Sequence, residues 1–241
     1  MPATVLNSQS GHPLVLVCDH ASAAIPAPYN NLGVADADMQ RHIAWDIGAQ
    51  GVTHSVAMAL GATAVCANFS RLFVDCNRYP HEDSAMPTES DNTPIPGNRA
   101  LTAQERQYRI DRYFTPYHAT ITHEINSKVQ KGITPHILAI HSFTPVYQGQ
   151  ARPWHAGVLW NKDKRLSDAI FAGFAAQAAH LTIGDNEPYS GKLIAYTLDT
   201  HGTNRGFANA AIEIRQDLID SPQGIAEWAH YLVAIYQRAL S

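Results

Sequence analysis

Two of the chain's 13 histidines, His20 and His141, each follow a short apolar run directly, PLVLVCD for the first and HILAI for the second. Together with Asp46 they offer two imidazoles and a carboxylate, the nitrogen and oxygen donors that zinc accepts in an open catalytic site. His42 lies four residues before Asp46 and is either an alternative ligand or a neighbour that orients one. No HExxH stretch is present, so this set rests on donor type and on position at strand ends. Glu213 stands inside AAIEIRQDL, where an ionised carboxylate is costly unless it has a partner or a task. It is a candidate general base, and an ion pair with Arg215 is the ordinary alternative. The segment SRLFVDCNR carries Arg71, Asn77 and Arg78, whose forked and amide donors suit a carboxylate or an oxyanion, with Asp75 available to hold one of the arginines. In the turn-rich stretch NEPYSG, Tyr189 offers a substrate-facing hydroxyl. The chain has no GxSxG elbow, no GxGxxG and no GxxxxGK[ST] loop, so serine hydrolysis and nucleotide cofactors have no motif behind them.

These residues need a scaffold. Pro13–Asp19 reads as a strand buried on both faces, and Asp36–Leu60 has the apolar spacing of one helix, with Ile43, Ile47, Val52, Val56 and Leu60 on roughly one side. That helix would carry Arg41, His42, Trp45 and Asp46. Thr63–Asn68 reads as a second strand, followed by the Ser70–Arg78 segment and a proline-containing polar loop, Tyr79–Asn98, long enough to form a lid. Thr102 and Glu105 form a capping box for a helix running toward Gln130 and ending near Gly132, with Pro116 as a kink point. Strands are expected at His136–Ile140, His155–Trp160 and Ala210–Ile214. Helices are expected at Leu166–His180 and from Ser221, an N-cap ahead of Pro222, to Ala239. Alternation of this kind predicts a single α/β domain over residues 1–241, a three-layer α/β/α sandwich around a mostly parallel central sheet. Ligands in such folds sit beyond the carboxyl ends of the strands.

Composition narrows the partners. The 241 residues carry 17 Lys and Arg against 21 Asp and Glu, a formal net charge of −4, and no basic run compensates locally, which argues against nucleic acid. Hydrophobic residues make up 45% and charged ones 16%, the balance of a folded, core-rich chain rather than a disordered one. There is no apolar stretch of spanning length and no secretory leader pattern at Met1–Gln9, so the expectation is a cytoplasmic protein without a membrane partner. Cys18, Cys66 and Cys76 form no CxxC and are read as buried packing residues. The sequence carries no signal for an oligomeric state.

The segments CDHAS (18–22), RHIAWDIGA (41–49), SRLFVDCNR (70–78), AIHSF (139–143), NEPYSG (186–191) and IEIRQDL (212–218) occur in an order that resembles the N-formylglutamate amidohydrolase family over most of the chain. That family is distantly similar to zinc carboxypeptidases, whose DxNR, IHS and ExR segments resemble residues 75–78, 140–142 and 213–215. The resemblance implies a phosphorylase/hydrolase-like fold and a zinc-dependent amidohydrolase acting on a small N-acyl amino acid such as N-formyl-L-glutamate. His141 becomes a metal ligand, Glu213 the base that activates water, Arg71 a neighbour of the oxyanion, and Asn77 with Arg78 a clamp for the substrate carboxylate. The carboxypeptidase HxxE spacing is broken here, since Ala23 stands three residues after His20. Asp46 is taken as the replacement ligand, with His42 its rival. Two other readings fit the same residues: a metallo-amidase or carboxypeptidase-like peptidase on another N-acyl amino acid or peptide, and a non-enzymatic binder of small carboxylates.

Overall fold

The computed structural model describes residues 1–192 and 195–239. Its centre is a seven-stranded sheet made of β1 (Ala3–Leu6), β2 (Leu14–Cys18), β3 (Thr63–Ala67), β4 (His136–Phe143), β5 (Ala156–Leu159), β6 (Ile183–Asp185) and β7 (Asn209–Arg215). The spatial order is β1-β3-β2-β4-β7-β5-β6. β3, β2, β4 and β7 run parallel, whereas β1 is antiparallel to β3 and β5 is antiparallel to β7. Every residue of β2 is buried, as its unbroken apolar run requires of a strand covered on both faces.

Side chains alternate between two cores, one on each side of the sheet. Leu14, Leu16 and Cys18 pack with α1 (Ala49–Leu60), α4 (Arg165–Gln177) and α6 (Pro222–Ala239) through Val52, Val56, Ile170, Phe174, Trp228 and Ile235. Val15 and Val17 face α3 (Thr115–Gln130) through Tyr117, Ile121 and Ile125. This is the three-layer α/β/α sandwich that the element order predicts. Two shorter helices are α2 (Ala103–Arg109) and α5 (Tyr196–His201). The N-caps read from sequence are present: the Thr102 hydroxyl accepts from the Glu105 amide at 3.1 Å, and Ser221 accepts from the Gly224 amide at 3.2 Å. Cys18, Cys66 and Cys76 are free and buried.

Two expected elements differ. The segment 36–60 is not one helix: a single helical turn at Asp36–Met39 is followed by irregular chain, and α1 begins only at Ala49 after Gly48, whose φ is +79°. The apolar spacing is genuine but serves two cores. Met39 and Ile43 belong to the core facing α3, whereas Val52 and Val56 belong to the opposite one, so the chain between them crosses the carboxyl end of the sheet. Tertiary hydrogen bonds hold the crossing, with the Asp46 amide donating to the His20 carbonyl at 2.9 Å and the Ser70 hydroxyl to the Ala44 carbonyl at 2.7 Å. Asp46 and His42 therefore sit on this crossing, not on a shared helix face. The second difference lies between α2 and α3, where Ile110–Phe114 forms a π-turn just ahead of Pro116. The wider turn accommodates a residue that has no N–H to give.

The polar stretch 79–98 is a loop, as expected, but a fastened one. It folds back through a small hairpin, Glu89–Ser90 with Thr93–Pro94. Arg41 holds that hairpin at Asp91 (2.8 Å) and Thr93 (2.7 Å), while buried Arg109 bonds Asn98 at 2.8 Å and the Phe73 carbonyl at 3.1 Å. Ser84, Pro87, Ser90 and Asp91 form one wall of a cavity of about 340 Å³ at the carboxyl end of the sheet.

Candidate active site

That cavity is where the singled-out residues meet: His20, His42, Asp46, Arg71, Asn77, Arg78, His141, Tyr189 and Glu213 all line it. β4 continues three residues past Ile140, so His141 lies within the strand and not after it. Parallel pairing then sets His141 directly beside Glu213, its partner on β7. On β5 the neighbour of Glu213 is Gly157, where a Cβ would stand 1.7 Å from the Glu187 carbonyl oxygen. Glycine there allows the turn carrying Tyr189 to press against the sheet.

Asp46 is the hub. Its Oδ2 lies 2.8 Å from His141 Nδ1 and 3.2 Å from His20 Nδ1, and it accepts the Ser142 amide at 3.3 Å. One donor atom from each of His20, Asp46 and His141 falls within 4.8 Å of the others, and all three residues are buried. Each imidazole has a carboxylate behind it: His20 Nε2 meets Asp75 Oδ1 at 2.7 Å, and His141 Nε2 lies 3.3 Å from Asp19 Oδ2. Asp19 is itself fixed by the Tyr117 and Thr197 hydroxyls, both at 2.8 Å to Oδ1. Among the described residues, neither Asp19 Oδ2 nor His141 Nε2 completes a well-formed hydrogen bond. His42 stands outside this group, 3.9 Å from Asp91.

Arg71 spans the cluster, donating to Asp75 Oδ2 at 2.9 Å and approaching Asp46 Oδ1 at 3.4 Å. Burial pulls the His20 pKa down and the Arg71 charge adds to this, yet Asp75 and Asp46 outweigh both and hold it above its ordinary value. Burial likewise opposes protonation of His141, and its contacts with Asp19 and Asp46 win by a wide margin. Asp46 and Asp75 stay far below the usual carboxylate range: burial alone would raise them, but the imidazoles, with Arg71 at Asp75, overcome it.

Glu213 behaves in the opposite way. Burial pushes its pKa up to about 7, with Asp46 adding to the rise and His141 resisting it. Its Oε2 has no hydrogen-bond partner among the described residues. Arg215 donates instead to Asp217 at 2.8 Å, so the Glu213–Arg215 pair suggested as an alternative does not form.

The side chains expected to clamp a carboxylate both line the cavity. The Asn77 side-chain oxygen accepts the Thr197 amide at 3.2 Å, which leaves its NH2 for the cavity. Among the described residues the Arg78 guanidinium makes no side-chain hydrogen bond or ion pair. Arg152 donates to the Tyr189 hydroxyl at 3.1 Å; guanidinium has nothing to accept with, so the phenol keeps its own proton to donate.

Sequence reasoning missed Asp19, Tyr117 and a stacked pair of buried histidines, His118 and His201, joined at 2.9 Å. Asp19 had a usable signal, a carboxylate beside a candidate ligand at a strand end. The histidine pair had none, because its members are 83 residues apart.

Comparison with known proteins bears on the family and the fold. Residues 12–220 match the family model described as N-formylglutamate amidohydrolase. The fold is similar to that of gene product Atu2144 from Agrobacterium tumefaciens, with a TM-score of 0.95 and 39% identity over 99% of this chain and 94% of that one. It is also similar to N-formylglutamate amidohydrolase from Ralstonia eutropha JMP134, with a TM-score of 0.71 and 21% identity over 98% and 97% of the two chains. No curated protein sequence matches.

Proposed function

This chain belongs to the N-formylglutamate amidohydrolase family, and from that premise we propose that it is a zinc-dependent hydrolase of the N-formyl (N-acyl) amide of an acidic amino acid such as N-formyl-L-glutamate, releasing formate and the amino acid. The observation that carries this reading is the convergence of His20 Nδ1, His141 Nδ1 and Asp46 Oδ2 beside Glu213, whose outer oxygen is unpartnered. The donor set fits zinc, being two imidazoles and a carboxylate with a further carboxylate behind each ring. Those three side chains would hold the ion, which when bound supplies Lewis acidity to the amide carbonyl and acidifies a water molecule.

Glu213 takes a proton from the attacking water as the water oxygen bonds to the carbonyl carbon, and a pKa near 7 suits both taking and returning it. The C–N bond then breaks, and Glu213 delivers the proton to the leaving amine. Arg71, anchored by two aspartates, presents its positive charge to the developing oxyanion. Arg78 and the Asn77 amide receive a substrate carboxylate, and the Tyr189 hydroxyl donates to the substrate from the facing wall.

The test is formate release from N-formyl-L-glutamate, measured before chelation, after it, and after zinc is restored. Release that stops on chelation and returns with zinc is the expected result. Release indifferent to chelation removes the metal from the reaction, and bound zinc without release moves the substrate to another amide.

A further inference from the structure

The rung of the sheet next to the reacting one is chemically different from it. Ala211 on β7 pairs with Ala139 on β4 and with Leu159 on β5, two residues before the level of Glu213 and His141. Residues two apart on a strand face the same way, so this rung opens into the same cavity, and all three side chains line it. Leu198 from α5 lines the same cavity and belongs to the same core. Ala139, Leu159, Leu198 and Ala211 are 1–5% exposed, so the rung forms the buried floor of the cavity, and no charged side chain belongs to it. Two alanines where the parallel strands meet leave room that larger residues would fill.

N-formyl-L-glutamate carries no terminal aliphatic group to set against this rung: its acyl side ends in a hydrogen and its other ends are carboxylates. Resting on the amide-hydrolase reading above, we propose that the Ala139–Ala211–Leu159 rung is an apolar subsite for an uncharged aliphatic group that the substrate carries beside the scissile amide. Two residues of strand set its reach at about 6.6 Å, the length of roughly five carbons. The group belongs either to the acyl chain or to the amino-acid side chain, and the two are separable by experiment.

The experiment uses the full-length zinc-loaded protein and two series of compounds. One varies the side chain through N-formyl-glycine, -alanine, -norvaline and -leucine; the other varies the acyl group through N-formyl-, N-acetyl-, N-butanoyl- and N-hexanoyl-L-glutamate. Burying each methylene is expected to raise kcat/KM roughly fourfold, and the series that rises identifies which part of the substrate is seated. Hydrolysis that stays flat or declines along both series overturns the subsite and leaves the hydrolase reading standing. If no compound is hydrolysed, that reading falls, and calorimetric affinities for the same two series decide the subsite: a gain with chain length retains it, equal affinities remove it. Ala211→Val is expected to lower the ratio of longest to shortest substrate at least tenfold, and an unchanged ratio overturns the assignment to this rung.

Discussion

Replacing Glu213 by Gln should make the metal-free protein more stable while disabling it. Glu213 is 8% exposed and its carboxyl is pushed from the ordinary 4.5 to about 7, chiefly by burial. A folded-state pKa above the unfolded one means that ionisation opposes folding: the protonated group is accommodated fully below about pH 4.5, and that advantage is lost as pH rises through 7. The 2.5-unit difference at 1.36 kcal/mol per unit amounts to about 3 kcal/mol above pH 7, which glutamine does not lose because it never ionises. For a domain of this size the gain corresponds to roughly 6–12 °C in Tm. The assay is thermal unfolding of chelated wild type and Glu213→Gln at pH 8, 5.5 and 4, where the variant's advantage should shrink step by step and vanish. Turnover by the zinc-loaded variant should fall about a thousandfold, within the range for loss of a general base. A variant that is less stable than wild type at pH 8, or one that keeps a tenth of its activity, would falsify the account of Glu213.

Three further outcomes follow from the geometry. Asp75→Asn exchanges the carboxylate 2.7 Å behind His20 for a neutral group and should weaken zinc about 10- to 100-fold in a competitive chelator titration; unchanged affinity removes Asp75 from metal support. Burial lowers His118 from 6.5 to about 4, so the native state resists a proton that the unfolded chain takes up, and stability falls as pH drops below 6.5. At pH 5 the loss is about 2 kcal/mol; urea unfolding at pH 8 and 5 should show a flatter acid limb in His118→Asn, and an identical limb counts against this origin. Gly48→Ala places a Cβ 2.1 Å from the Ile219 carbonyl oxygen at a φ of +79°, so at least about 2 kcal/mol should be lost, with Asp46 displaced. A melting temperature equal to wild type would show that the crossing yields easily.

Much of the site was legible because its residues are written at strand ends. The run before His20 and the one before His141 mark parallel strands, and the carboxyl ends of such strands are where ligands bind. Glu213 stood out because a carboxylate in an apolar strand needs a reason. What could not be read was register, which alone makes His141 and Glu213 neighbours. The broken helix at 36–60 misled for a related cause: periodicity reports which residues are buried, not in which core, and Ile43 and Val52 are buried on opposite sides of the sheet. Asp46 sits at that crossing; its chemistry made it a candidate ligand, while the helical backbone expected around it is not there. The fastening of the 79–98 loop by Arg41 and Arg109 was also hidden, since both look like ordinary surface arginines in a helical pattern.

The crossing segment also bears on the order of events during folding. The contacts of Asp46 with His20 and His141 close loops of 26 and 95 residues, and the chain that carries Asp46 is fixed only when both cores are in place. Contacts of such long range are costly to make early, so this centre is assembled late on the folding pathway. A metal then has no local template to organise in the unfolded chain. Its effect should fall on the rate at which the native state opens rather than on the rate at which it forms, lengthening the lifetime of the folded protein without hastening its arrival.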